Sequence, residues 1–186
     1  MSPDFWTAVF SGLTLVVFGL TAIVGIIQLR HLRVANSLTG LVTILQDWQK
    51  PEMQSWVSYV RNELRERLKD VSYLDNIAKP GPVLRSEHPE FHICDYYEQV
   101  GSYVKYGMID REAYLDVGCV PIVAMWEVLW PLIDVMRKKR KTERVYENFE
   151  YLAVISRQFI EKYPNGTYPR TLPRWRQLKK SESSST

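Results

Sequence analysis

The sequence predicts an all-α protein, with one transmembrane helix near the N-terminus followed by a small cytoplasmic helical domain. Three observations lead there. An apolar run extends from Phe5 to Ile27 without a charge. Beyond it, apolar residues recur at spacings of three and four, never convincingly at two, so no sheet is expected. The composition, with 46% apolar residues, 12% aromatic residues and six tryptophans, is enough to build a core and excludes a disordered chain.

The run from Phe5 to Ile27 defines the first element. At about 1.5 Å per residue it is roughly 34 Å long, enough for a hydrocarbon layer of about 30 Å. Phe5 and Trp6 stand where an interfacial aromatic belt belongs, and Ile27 closes the apolar stretch. A cleaved signal peptide would need a basic start, a shorter apolar stretch and a small-residue cleavage site. Here the start is Met-Ser-Pro-Asp, and the run ends in Gln28, Leu29 and Arg30. Arg30, His31 and Arg33 follow the span and nothing basic precedes it, so the positive-inside rule puts the C-terminal side in the cytoplasm. Residues 1–4 become an outside stub and 5–29 the span. Small residues, with Gly12 and Gly19 central, form a stripe along it. Such a stripe lets helices approach closely and supports a homo-oligomer, although glycine is common in membrane helices generally.

Residues 30–50 read as a juxtamembrane amphipathic helix, with Val34, Leu38, Leu41, Leu45 and Trp48 on one stripe and Gly40 as a weak point. The stripe can pack on the chain's own domain or pair with another copy. Its length of about two heptads favours own-domain packing.

The domain, residues 51–163, opens with Pro51, a good first-turn residue, on a helix expected to reach Asp70. Lys79-Pro80-Gly81-Pro82 breaks regular structure, and Val71 to Pro89 is expected to be a loop. Pro89 starts another helix, closed by Gly107. Asp110 caps the next, whose stretch from Val117 to Val135 is almost wholly apolar. Glu127, Asp134, Pro121 and Pro131 inside that stretch argue for a kinked core helix against a second span. A last helix from Glu143 to Tyr163 carries Val145, Phe149, Leu152, Ser156, Phe159 and Tyr163 on one face. Pro164-Asn165-Gly166 ends it, and residues 164–186 form a basic, Ser-rich flexible tail.

The motifs Lys50-Pro51-Glu52, Tyr106-Gly107-Met108-Ile109-Asp110, Trp126 to Pro131 and Tyr146 to Leu152 resemble, in this order, the bacterial family called domain of unknown function 4760. The resemblance covers most of the chain up to about Pro164. It implies an anchored helical domain in a bacterial cytoplasmic membrane, and it implies no activity.

Candidate chemistry is sparse. His88 and His92 are four apart, but Pro89 occupies the place where a zincin has its glutamate. A carboxylate pair drawn from Asp95, Glu98, Asp110, Glu127 and Asp134 would suit general acid–base work, yet no spacing selects one. Glu127 and Asp134 share a face, and a basic residue from the last helix is expected to pair with them. Cys94 and Cys119 lack CxxC or Cys/His spacing, so no redox or zinc site is marked. No catalytic residue, cofactor or metal ligand is therefore named.

The strongest surface signal is Arg137, Lys138, Lys139, Arg140 and Lys141, read as contacting lipid headgroups or complementing a helix C-terminus. Arg170, Arg174 and Arg176 around Trp175 add a second basic cluster. The net charge of +3 is too small for a general polyanion binder, so no nucleic acid is expected. The expected partners are the lipid bilayer, a second copy through the membrane helix, and a protein of unspecified identity. The reading is a single-pass, membrane-tethered interaction or oligomerisation module. A membrane-bound enzyme and an oligomerising membrane effector are the alternatives.

Overall fold

The computed structural model describes residues 3–79, 81, 83–177 and 179. The first two residues of the outside stub, Pro80 and Pro82 of the breaker, and the serine-rich end lie outside them. Among the described residues the fold is all-α, without strands. The apolar run and the segment read above as juxtamembrane form one unbroken helix, α1, Pro3–Trp48. The threonines of the span stay compatible with an apolar surround, because Thr14 and Thr21 donate their hydroxyls to the carbonyls of Phe10 and Val17, four residues back, at 2.8 Å. Gly40 does not interrupt the helix. A Cβ there would meet Ile109 at 3.3 Å, so the glycine lets the domain approach closely.

Pro51 opens α2, Pro51–Asn62. The expected single helix to Asp70 is broken at Glu63, after which the short α3, Leu64–Arg67, turns Leu64 fully inward and leaves Arg65 and Glu66 outside. The expected loop from Val71 to Pro89 is corrected in its first half, where α4 spans Val71–Ala78. Asp70 caps α4 by accepting the Ser72 N–H at 2.8 Å, and Ile77 anchors it in the core. The Asp-x-Ser start was the legible signal, outweighed by the breaker that follows. Of the described residues before α5, 79, 81 and 83–89 form no regular element.

The remaining helices are α5, Glu90–Lys105; α6, Arg111–Arg140; and α7, Glu147–Lys162. Gly107 adopts φ +68° and ends α5 as predicted. Asp110 caps α6, its side chain accepting from Ala113 N at 2.8 Å. α6 is the core helix of the bundle, with Ile122, Met125, Leu129, Leu132 and Ile133 all buried. α7 starts four residues later than expected, because Tyr146 takes a left-handed conformation with φ 56°. Its predicted stripe is correct where it matters most: Phe149, Leu152 and Ser156 are fully buried.

Contacts fix the directions. Tyr96 donates to the Ile44 carbonyl at 3.1 Å, and Asp110 N donates to Ser37 Oγ at 2.8 Å, so α5 runs back along the end of α1. α6 then runs the other way. Its last turn meets α4 where Lys139 Nζ donates to the Ile77 carbonyl at 2.7 Å. α7 returns beside α6, with Trp126 against Phe149 at 5.0 Å and Thr167 bonded to Asp116. The domain therefore has a Ser37 end, holding the α5–α6 turn and residues 163–177. Its far end holds α4, the start of α5 and the close of α6.

Candidate functional site

Two arrangements stand out: a buried polar cluster at the far end and a cleft at the Ser37 end. In the cluster, Glu90 is fully buried at the start of α5. Its Oε1 accepts from Tyr73 of α4 at 2.5 Å and lies 2.9 Å from Nδ1 of His88. Tyr59 stands behind Tyr73, hydroxyl to hydroxyl at 3.4 Å. Burial, then the Glu90 carboxyl, pushes the Tyr73 phenol well above its ordinary range. Glu90 Oε2 finds no partner among the described residues. Sequence reasoning missed Glu90 and Tyr73, since nothing local marks a carboxylate at a helix start as buried.

His88 and His92 are not brought together. His88 belongs to the cluster, whereas the His92 ring stacks on Trp56 at 4.0 Å and 12°. The candidate carboxylates are occupied structurally. Asp95 pairs with Arg85 at 2.9 Å and accepts from Tyr146 at 3.0 Å. Glu98 accepts from the backbone N–H groups of Asn148 and Phe149 at 3.0 and 2.9 Å, which caps α7. Glu127 is exposed. Asp134 pairs with Lys138 of its own helix at 2.6 Å, which corrects the expectation of a partner from the last helix. Burial pushes the Cys94 thiol well above its usual value and raises that of Cys119.

The basic run does not act as one surface. Arg137 is buried, donates to the Val145 carbonyl at 2.9 Å, and pairs with Glu150 at 2.7 Å and Glu143 at 3.1 Å. It therefore cannot contact headgroups as expected, because its guanidinium staples the α6–α7 turn. Lys139 is held by Ile77. Lys138, Arg140 and Lys141 are exposed, Lys138 being the one paired with Asp134.

The cleft, of about 1090 Å³, lies between α1 and the α5–α6 turn. Its walls include Ile26, Leu29, Arg30 and Arg33 below and Tyr96, Tyr103 and Met108 beside them. None of His88, His92, Cys94, Asp95 or Glu98 lines it.

Residues 15–155 match the family described as a domain of unknown function, DUF4760. The chain belongs to the DUF4760 family. No curated protein and no solved structure matches it. The matched stretch begins inside the apolar part of α1 and ends within α7, so the DUF4760 unit includes the passage from apolar helix to helical bundle. α1 is long and apolar enough to cross a membrane, and the most hydropathic part of it is not buried against the rest of the protein. α6 passes the same test of length and apolarity but is 44% buried over that stretch, as befits a core helix.

Proposed function

We propose that this DUF4760 protein is a membrane-tethered interaction module without catalysis. In this reading α1 crosses a bacterial cytoplasmic membrane, the N-terminus lies outside, and the helical domain stands on the cytoplasmic face. The carrying observation is the continuity of α1. Its most hydropathic stretch is not buried against the rest of the protein, while its last three turns, through Ile44 and Trp48, are built into the core.

The consequences for orientation are quantitative. Ser37 is ten residues beyond Ile27, about 15 Å along the helix, so the Ser37 end stands just above the headgroup layer. Arg30 and Arg33 fall within that layer. Trp175, Leu172 and Arg174 lie at the same end of the domain, all exposed, where an amphipathic interface contact would be made. α6 runs about 40 Å from Asp110 to Arg137, many times the Debye length of about 8 Å. The 137–141 run is thus assigned to the far end, and its role to the α6–α7 turn and the helix dipole.

Two measurements test this. The full chain should stay in the membrane pellet through an alkaline carbonate wash. A C-terminal fusion should be active as a fluorescent protein and inactive as alkaline phosphatase. Recovery of the intact chain without detergent, or of a chain shortened by the loss of α1's apolar half, would contradict the proposal.

A further inference from the structure

We propose that α1 pairs in parallel with α1 of a second copy of this chain, through a face centred on Leu38. The inference names the partner of the membrane-anchored module and rests on that reading.

The starting point is a helix face that nothing in the protein covers. Val34, Leu38 and Val42 occupy successive turns of α1 and are 68%, 60% and 44% exposed. They lie beyond the span, in the aqueous part of the helix. No charged residue occurs between Arg33 and Asp47. A helix side that meets water normally carries charge, so this one has the composition of an interface.

The domain occupies a different side. Ser37, Gly40, Ile44 and Trp48 make the docking contacts. At about 100° per residue, Leu38 is roughly 120° around the axis from Ile44. A second helix can therefore lie along Val34 and Leu38, below the level at which Leu41 packs against the first copy's core.

The spacing of the free face specifies the partner. Leu20, Val24, Ile27, His31, Val34 and Leu38 alternate steps of four and three, a heptad seam that passes from the span into the aqueous segment on one unbroken helix. Such a seam is matched by a helix of the same period, parallel and in register. A second copy inserted through the same bilayer meets all three conditions by construction. Charge agrees, because Arg30 and Arg33, which would repel across a symmetric interface, line the cleft on the domain side instead.

The same geometry counts against the small-residue stripe as the pairing face. Gly19 is five whole turns below Ser37, and Gly12 is ten turns below Trp48, at about 3.6 residues per turn. Both glycines lie on the domain side. Close packing there would drive the partner helix into the domain at the level of Ser37 to Trp48.

Cysteine cross-linking in native membranes tests the proposal. Leu38→Cys and Val34→Cys are compared with Asn36→Cys, on the cleft side, and Gly19→Cys. The parent chain, whose two cysteines are buried, is the control. Under mild oxidation the Leu38 and Val34 variants should form disulfide-linked dimers and the other two should not. In detergent, the double variant Leu38→Glu, Val42→Glu should shift the particle from two chains of 21.8 kDa to one, with unchanged helicity. A membrane-borne chain that fails to cross-link at Leu38, or cross-links best at Gly19, overturns the pairing while leaving the anchor intact. A chain absent from the membrane fraction overturns both.

Discussion

Gly101 gives the sharpest energetic prediction, because two physical effects assign opposite signs to one substitution. Gly101 lies in the body of α5 with ordinary helical backbone, so Gly101→Ala should stabilise the helix by about 1 kcal/mol on propensity alone. The packing says otherwise. A Cβ at Gly101 would overlap the Asn148 carbonyl oxygen and lie 2.6 Å from its carbon. Carbon–carbon contacts are comfortable at about 3.5–4.0 Å, so the first turn of α7 must retreat by roughly 1 Å. That retreat stretches the Glu98 bonds to Asn148 and Phe149, now 2.8–3.0 Å, beyond useful length. Overpacking of about 1–3 kcal/mol and loss of a cap worth about 1–2 kcal/mol, less the propensity gain of about 1 kcal/mol, give roughly 1–4 kcal/mol of net destabilisation. For a chain of this size that lowers the midpoint by roughly 2–16 °C. Thermal unfolding of the full chain in mild detergent, followed by far-ultraviolet circular dichroism, measures it. Gly118→Ala is the control, since a Cβ there meets its nearest neighbour, Ile122, at an ordinary 3.4 Å, and it should be neutral or stabilising. A Gly101→Ala protein as stable as the parent would refute the close approach of α5 and α7.

Further outcomes follow from the same contacts. Arg137→Ala should destabilise by about 2–4 kcal/mol in the same thermal assay, because it leaves the Val145 carbonyl and Glu150 without their donor, whereas Arg140→Ala should stay within about 0.5 kcal/mol. Equal effects would mean that the basic run acts as one surface. Tyr73→Phe should cost about 1–3 kcal/mol by removing the donor to buried Glu90, read from a urea titration of tryptophan fluorescence. No loss would show that the cluster is hydrated and open. The raised thiols of Cys94 and Cys119 hold less thiolate than a free cysteine at any given pH. Maleimide labelling at neutral pH should therefore be slow in the folded chain, rise with pH, and become fast in denaturant. Rapid labelling of the native chain would contradict the burial of Cys94.

Sequence reasoning located what depends on neighbours along the chain. The long apolar helix through Phe5 to Ile27, the starts at Pro51 and Asp110, the close at Gly107 and the core stripe of α7 all follow from local hydropathy, period and capping. A helix terminus is satisfied by residues within a turn of it, so its signals are written nearby. The break at Glu63 was illegible for the opposite reason, and the length of α4 was hidden because its Asp-x-Ser start was outweighed by the breaker after it. Leu64 and Ile77 find their places through contacts with distant elements.

By itself, then, the sequence determined that this is an all-α chain with one bare apolar helix leading into a Trp-rich bundle. Those properties are sums over consecutive residues. Only the tertiary structure decided that Arg137 turns inward, that Glu90 is sealed beneath Tyr73 and His88, that Gly101 touches the backbone of α7, and that the domain docks on Ser37, Gly40 and Ile44 of α1 while Leu38 stays open. Each of these depends on which surface lies on the other side of a contact. Residues far apart in the chain settle that, and no local pattern encodes it.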